Sequence, residues 1–178
     1  MASHSRLGQQ IAEVTTTLNR IGAEYALVGG LALAPYKIIR ATQDVDLLVD
    51  ASRADDIDNE LLSLGYQCIH RSTDAANYQR GSERVDLLYA NRPIARRLLT
   101  AATTLHTSLG ELRVISKEGL IGFKLQGWVN NPRRTQDIED IRALLRANAG
   151  QLDMLEVRSY FQLFEHEALL DELLTQLG

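Results

Sequence analysis

The residues with the most informative chemistry are three aspartates on two similar segments. Asp44 and Asp46 alternate with apolar residues in the run DVDLLV at residues 44–49. Side chains alternate between the two faces of a β-strand, so both carboxylates are predicted to lie on one face. Two carboxylates on one face repel each other unless a cation lies between them. The spacing therefore indicates a metal site.

A third carboxylate occurs at the same position of a repeated tetrapeptide. The sequence VDLL at residues 45–48 recurs at residues 85–88, where it contains Asp86. If both segments are strands of one sheet, Asp86 lies on the same face as Asp44 and Asp46. Oxygen ligands alone suit Mg²⁺ or Mn²⁺ rather than zinc. Two such ions about 3.5–4 Å apart are the usual apparatus for in-line displacement at phosphorus.

Each aspartate also has a structural interpretation. Aspartates at the end of a strand often cap the turn that follows, a role that suits Asp50 better than Asp44 or Asp46. Asp86 has Arg84 and Arg80 near it in the chain as candidate ion-pair partners. The occurrence of three carboxylates on one face favours metal binding over these alternatives.

A pair of glycines lies where a predicted strand ends and a helix is predicted to begin. The apolar run at residues 25–28 stops at Gly29 and Gly30. Outward-pointing backbone N–H groups at such a place favour anions, and no side chain obstructs a triphosphate. The alternative is that the glycines only form a tight turn. Together with the aspartates, the pair favours phosphate binding over a simple turn.

The ordered set of motifs resembles the nucleotidyltransferase fold shared with DNA polymerase β. Residues 28–32 (VGGLA) and 40–47 (RATQDVDL) are most similar to the AbiEii/AbiGii-type branch, and the resemblance covers residues 20–146. That branch includes toxins of bacterial toxin–antitoxin and phage-defence systems. The resemblance implies that Asp44 and Asp46 bind metal, and that Asp86 completes the site and acts as general base. Many relatives have Gly-Ser where this chain has Gly29-Gly30.

Lys124 lies within an apolar helical stripe formed with Ile121, Leu125 and Trp128. A lysine on or beside an inward-leaning face must extend to solvent or meet an anion. One interpretation is an extended surface lysine. The other places its ammonium on the nucleotide phosphates, where it would offset charge in the transition state. We predict a catalytic, nucleotide-binding Lys124.

Residues 124–141 resemble a later signature of the same family, Lys…Arg…Lys-Asp-x-x-Asp-Ile. The matching residues are Lys124, Arg133, Arg134, Asp137, Asp140 and Ile141. Gln136 stands where the family has a lysine. Asp137 also suits the first turn of a helix, and Asp140 has Arg133, Arg134 and Lys124 as candidate partners. Both aspartates are predicted to have supporting or structural roles.

Composition restricts the class of protein. The chain has 178 residues, of which 45% are hydrophobic and 24% charged, as is usual for one soluble globular domain. The single cysteine, Cys68, is expected in the core and fits a reducing cytoplasm. Residues 1–5 lack the apolar core of a signal peptide, and no apolar run reaches membrane-spanning length. We expect a cytoplasmic protein with no membrane partner.

The net charge of −4 argues against a protein that coats nucleic acid by bulk electrostatics. A local basic surface remains open, because Arg92, Arg96 and Arg97 lie within one and a half helical turns and Arg133 precedes Arg134. Solvated surface charge is the structural interpretation of either cluster.

Hydrophobic periodicity predicts an α/β half followed by an α-rich half. Strands are predicted at residues 25–28, 44–49, 66–70, 78–80, 84–89 and 112–115, with weak alternation at 103–109. Helices are predicted at 7–21, from 31 to the bend at Pro35, and at 53–64, 93–99, 117–129, 135–147, 153–164 and 166–177. We expect an α/β (α+β) nucleotidyltransferase-type mixed sheet flanked by helices, with the glycines and aspartates at one edge. Residues 1–115 would form the core and 116–178 a helical region packed on it, with a single domain as the alternative.

The predicted reaction is transfer of an NMP from an NTP to a hydroxyl, with Mg²⁺ or Mn²⁺ and release of pyrophosphate. RNA or a protein is the expected acceptor, given the toxin-like relatives. One alternative is nucleotidylation of a small molecule at an acidic acceptor pocket. Another is a non-catalytic binding protein. An antitoxin or a second copy of the chain is the expected partner of the leucine-rich C-terminal helices.

Overall fold

A computed structural model describes residues 5–39 and 42–178 of the chain. These residues form two compact units: 5–32 with 42–115, and 33–39 with 116–178. Residues 40 and 41, which belong to the motif RATQDVDL, lie outside the described residues. The described helices contain no segment that is both long enough and apolar enough to span a membrane.

The first unit contains a seven-stranded mixed sheet with the strand order β3-β4-β5-β2-β1-β7-β6. Its strands are β1 (Tyr25–Leu27), β2 (Asp44–Val49), β3 (Gln67–Arg71), β4 (Ala75–Arg80), β5 (Glu83–Tyr89), β6 (Thr103–Thr107) and β7 (Gly110–Val114). The pairs β2–β5 and β1–β7 are parallel and the other four are antiparallel. The predicted α/β class with a mixed sheet is confirmed.

Three helices accompany this sheet: α1 (Arg6–Arg20), α2 (Ala54–Ser63) and α3 (Pro93–Thr100). The Ser5 hydroxyl caps α1 by accepting a hydrogen bond from the Gly8 N–H, which satisfies a donor that the helix cannot pair internally. Ile11, Val14 and Leu18 of α1 are buried at helical spacing. This amphipathic pattern is what the sequence predicted for the segment.

The sheet is apolar on one face because alternate residues of its central strands are buried. Val45, Leu47, Val85 and Leu87 are 0–1% exposed. The Tyr78 hydroxyl on this face donates to the Asp58 carboxylate of α2 at 2.5 Å. Burial, reinforced by the hydrogen bond to Asp58, raises the pKa of Tyr78, so the phenol stays a neutral donor. The alternate residues form the other, more open face.

The second unit contains four helices: α4 (Lys117–Asn130), α5 (Thr135–Ala147), α6 (Met154–Leu163) and α7 (Glu167–Leu177). The Ser116 and Asp153 side chains cap α4 and α6. A Cβ at Gly122 would lie 2.8 Å from the Tyr160 ring. Gly122 therefore allows α4 and α6 to approach closely.

The structure corrects several details of the sequence prediction. The segment from Leu31 forms two short 3-10 turns, Gly30–Ala32 and Ala34–Tyr36, instead of a helix. Cys68 is exposed rather than buried, because β3 is an edge strand whose five side chains are all exposed. The aspartates lie on β2 and β5, two neighbouring strands in the middle of the sheet, and not at its edge.

Candidate functional site

The three aspartates lie on one face of two adjacent parallel strands. In the register of β2 and β5, Asp46 is opposite Asp86, and Asp44 is opposite Arg84. Neighbouring strands are about 4.8 Å apart, so the Asp46 and Asp86 side chains leave the sheet side by side. All three aspartates are half-buried. The shared face predicted from the VDLL repeat is confirmed by this register.

The backbone turn after β1 packs against Asp46. The Val28 N–H donates to the Asp46 carbonyl at 3.0 Å. A Cβ built at Gly29 would lie 1.9 Å from Asp46 Oδ2 and 2.6 Å from its Cγ, which is far inside van der Waals contact. Glycine is therefore required at position 29 because the Asp46 carboxylate occupies the space of a side chain.

Gly30 is less constrained. A Cβ there would lie 3.1 Å from the Thr42 side chain. Gly30 also begins a 3-10 turn of only three residues, which has too few aligned peptides for the dipole of a full helix. The assignment of Gly29 and Gly30 to the NTP phosphates stays a prediction. It depends on their backbone N–H groups alone, without a contribution from a helix dipole.

Asp86 has a neutral hydrogen-bond partner that sequence reasoning missed. Asn77 of β4 is opposite Asp86 in the register, and its Nδ2 donates to Asp86 Oδ1 at 2.7 Å. The sequence prediction began this strand at Tyr78 and left Asn77 in a polar loop. The alternation over Ala75–Arg80 is the signal that would have placed Asn77 on the face of the aspartates.

Two structural roles considered for the aspartates, the turn cap and the ion pair with Arg80, involve other carboxylates in the structure. Asp50 caps the turn after β2, since its Oδ1 accepts from the Ser52 N–H at 2.9 Å. Arg80 pairs with Glu13 and Glu83 at 2.9 and 2.6 Å rather than with Asp86.

The donor set matches a hard divalent cation, because it contains three carboxylates and no nitrogen or sulfur ligand. Across residues 5–39 and 42–178, however, no group of three or more His, Cys, Asp or Glu side chains converges closely enough to hold a metal. The Asp86 carboxylate is turned to Asn77, and the Asp46 carboxylate lies against Gly29. The backbone positions fit a metal site, and rotation of these side chains would be needed to form it.

Lys124 belongs to a compact ionic cluster of the second unit. Its Nζ lies 2.9 Å from Asp140 Oδ2 and 3.7 Å from Asp137 Oδ1. The exposed fractions of the three side chains are 11%, 3% and 4% in that order. Lys124 thus has anionic partners within its own unit, and it is one of the three partners considered for Asp140 from the sequence. The assignment of Lys124 to nucleotide phosphates stays a prediction.

The rest of the cluster explains nearby residue choices. Gln136 Nε2 donates to Asp140 Oδ1 at 3.0 Å. Arg134 Nε forms an ion pair with Asp137 Oδ2 at 3.0 Å. This buried oxygen accepts no hydrogen bond from the described residues. A Cβ at Gly127 would lie 2.9 Å from the same oxygen, so Gly127 provides the space for Asp137.

Helix α3 carries the basic surface predicted from the sequence. Arg92, Arg96 and Arg97 are all exposed. Arg96 Nε donates to the Ala90 carbonyl at 3.3 Å. No carboxylate of the described part of the chain forms an ion pair with any of the three.

Comparison with known proteins identifies the fold. No known family model and no curated protein sequence matches the chain. A crystal structure of ANT(2'')-Ia in complex with adenylyl-2''-tobramycin has a TM-score of 0.68 and 15% identity, over 92% of this chain and 99% of that one. Lincomycin-bound LnuA, a lincosamide antibiotic adenylyltransferase, has a TM-score of 0.58 and 16% identity, over 76% and 94%. An antigenic nucleotidyltransferase-like protein from Paracoccidioides brasiliensis has a TM-score of 0.58 and 19% identity, over 95% and 92%. The chain therefore has the nucleotidyltransferase fold.

Proposed function

We propose that this protein is a metal-dependent nucleotidyltransferase that moves an NMP from an NTP to a hydroxyl of a small molecule. The observation that carries the proposal is the placement of Asp46 opposite Asp86 on adjacent strands. Like charges directly opposite each other destabilise a sheet, which favours a cation-binding role for the pair. Divalent cations bound by both carboxylates would remove the repulsion.

The chain's own residues have distinct tasks in this reaction. Asp44, Asp46 and Asp86 would hold Mg²⁺ or Mn²⁺, which supplies charge neutralisation at the phosphates when bound. Asp86 would also accept the proton of the acceptor hydroxyl. The hydroxyl oxygen forms a bond to the α-phosphorus as the bond to pyrophosphate breaks. The backbone N–H groups of Gly29 and Gly30 would donate hydrogen bonds to the phosphates.

Two observations favour a small acceptor. ANT(2'')-Ia, solved with adenylyl-2''-tobramycin, and LnuA, solved with lincomycin, match over 99% and 94% of their chains. In addition, the open face carries a polar strip that extends beyond the aspartates onto β4 and β3, where Asn77 is opposite Asp86 and His70 is opposite Asn77. Such side chains suit a compact acceptor with several hydroxyl or amino groups, since each offers hydrogen bonds at close range.

The test is incubation of the protein with each α-labelled NTP and Mg²⁺, together with aminoglycosides, lincosamides, cell RNA or protein lysate in separate reactions. We expect label on a small molecule, and loss of that label when EDTA is added. Label on none of the acceptors, with unaltered NTP, would overturn the proposal.

RNA or protein is a second candidate acceptor, and the basic surface of α3 is the observation that favours it. The exposed Arg92, Arg96 and Arg97, which form no ion pair with a described carboxylate, offer positive charge to an anionic partner. An RNA acceptor would agree with the AbiEii/AbiGii-type resemblance and with a role as a toxin or phage-defence component. In the same assay, label on RNA or protein and none on a small molecule would select this candidate.

A further inference from the structure

We propose that Arg84 is a specificity-determining residue that selects an acceptor carrying an anionic group, a carboxylate or a phosphate. The inference rests on the proposed function, because it concerns the substrate that reacts at the aspartates. Arg84 lies on β5 two residues before Asp86, so both side chains leave the same face of the sheet. In the register, Arg84 is opposite Asp44 on β2 and opposite Gln79 on β4. Its positive charge therefore lies beside the aspartates.

The guanidinium of Arg84 is available to a ligand. Arg84 is exposed, and among residues 5–39 and 42–178 no carboxylate forms an ion pair with it, although Asp44 is directly opposite. The arginines that end β3 and β4, Arg71 and Arg80, are in contrast paired with carboxylates. A guanidinium offers parallel N–H donors that match the oxygens of a carboxylate or phosphate. Arg84 is therefore suited to recognise an anionic group.

The order of the strands places Arg84 on the acceptor side of the proposed site. Strand β2 lies between β5 and β1, so Arg84 and Asp86 lie on one side of it, and Gly29 and Gly30, which follow β1, lie on the other. In an in-line displacement, the acceptor and the leaving pyrophosphate are on opposite sides of the α-phosphorus. If the glycines bind the phosphates, the acceptor hydroxyl approaches over β5. The rest of the acceptor then lies over β5, β4 and β3.

The charge of this surface matches an anionic acceptor rather than a cationic one. On the face of the aspartates, the described strands β3 and β4 contribute no carboxylate. Their polar side chains there are opposed in pairs, Gln67 with Gln79 and His70 with Asn77. Amides and an imidazole offer hydrogen bonds to hydroxyl groups without negative charge. A polycation would meet no carboxylate on these two strands and would be repelled by Arg84, whereas an acceptor with hydroxyl groups and one anionic group would be bound by both kinds of side chain.

The first measurement is an NMR chemical-shift titration of the ¹⁵N-labelled full chain with four sugars, without nucleotide or metal. Glucose 6-phosphate and glucuronate are anionic, glucose is neutral and glucosamine is cationic, so the probes share one ring and differ in charge. We expect the anionic sugars to shift the backbone signals of Arg84 and Gln79, and the other two to leave them unchanged. A response to only one anionic sugar would identify the phosphate or the carboxylate as the recognised group.

Three outcomes of this titration would overturn the proposal. The first is the absence of a shift at Arg84 with either anionic sugar. The second is an equal shift with glucosamine, which would show that charge is not recognised. The third is a set of shifts confined to Gly29 and Gly30, which would assign the anion to the turn after β1.

Variants test whether the guanidinium itself binds the anion. Arg84→Gln should raise the Kd for the bound anionic sugar roughly tenfold, the scale of one hydrogen bond to a charged group. Arg84→Lys keeps the charge without the parallel donors, so its Kd should rise less. Arg146 is the matched control, an exposed arginine of the second unit that forms no ion pair with a described carboxylate. An unchanged Kd in Arg84→Gln, or an equal rise in Arg146→Gln, would overturn the proposal.

The transfer assay separates this inference from the proposed function. Arg84→Gln should raise the KM for an anionic acceptor roughly tenfold and leave the KM for NTP unchanged. A rise in the KM for NTP alone would assign Arg84 to the nucleotide and overturn the inference. Equal labelling of a polycationic aminoglycoside by wild type and Arg84→Gln would support the proposed function and overturn the role of Arg84. If anionic sugars bind at Arg84 but no acceptor is labelled, the proposed function fails, and the titration alone decides the role of Arg84.

Discussion

Substitution of Lys124 by Met gives a large and measurable prediction. The change removes the ammonium that lies 2.9 Å from Asp140 and 3.7 Å from Asp137, two carboxylates that are only 3% and 4% exposed. Removing one partner of a buried ion pair costs about 3–5 kcal/mol, because a buried charge is left uncompensated. Arg134 and Gln136 still contact these carboxylates. We therefore expect the lower end, about 3 kcal/mol.

The assay uses the only tryptophan of the chain. Trp128 lies on α4, and its ring centroid is 5.1 Å from that of His166 in the same unit. Its fluorescence therefore reports unfolding of the second unit. In a chain of this size, about 3 kcal/mol corresponds to a fall of about 6–12 °C in melting temperature.

A matched control is present on the same helix. Lys117 is half-buried at the start of α4 and forms no ion pair with the described residues. Lys117→Met should therefore leave the fluorescence melting curve close to that of wild type. Adding Asp140→Asn to Lys124→Met should restore part of the lost stability, since one of the two buried carboxylates that lost the lysine becomes neutral.

A different result would refute the structural role. If Lys124→Met melts like wild type while kcat falls roughly 10²–10³-fold, the ammonium serves the transition state, as its assignment to the nucleotide phosphates predicts. If Lys124→Met melts like wild type and transfers nucleotide normally, Lys124 serves neither the buried ion pair nor the nucleotide phosphates and is an extended surface lysine.

Three further predictions concern the first unit. In Gly29→Ala the new methyl group would lie 1.9 Å from Asp46 Oδ2, so Mn²⁺ affinity and nucleotide transfer should both fall sharply. In Gly30→Ala the methyl group meets only the Thr42 side chain, so the effect should be smaller. Burial raises the pKa of Glu83, but the hydrogen bond and charge of Arg80 outweigh burial and hold the pKa below the usual 4.5. The pKa of Glu83 is therefore lower in the folded than in the unfolded protein, so the ionised side chain stabilises the fold above pH 4.5. In urea unfolding, the stability difference between wild type and Glu83→Gln should be present at pH 7 and disappear as pH falls below 4.5. If RNA is the acceptor, replacing Arg96 and Arg97 by Ala should weaken RNA binding in a salt-dependent way with NTP binding intact, and equal RNA labelling across a salt series would exclude this surface.

Much of the fold was predictable because periodicity is strong where one face is buried. The strand Asp44–Val49 and the helix Thr135–Ala147 have the bounds expected from the sequence. The VDLL repeat also predicted the common face of the aspartates, because two strands with the same apolar pattern in one sheet must point their polar residues the same way.

Other features depend on contacts between distant residues, which periodicity does not report. Gly29 is glycine because of a carboxylate seventeen positions later, so the local interpretation as a phosphate turn missed its main constraint. The exposure of Cys68 follows from the outer position of β3 in the strand order, which a single strand pattern cannot specify. Asn77 was missed because a polar strand of the open face looks like a loop in sequence.

The most direct test compares Asp46→Asn and Asp86→Asn with Asp50→Asn, which changes an aspartate that follows β2 and caps a turn. The measurement is the rate of transfer from α-labelled NTP to the acceptor that wild type labels, at saturating Mg²⁺. If the opposed carboxylates form the catalytic centre, both site variants should lose at least roughly 10²-fold in rate with circular dichroism spectra like that of wild type, and Asp50→Asn should retain most of the wild-type rate. A wild-type rate in either site variant would contradict a catalytic centre built on Asp46 and Asp86.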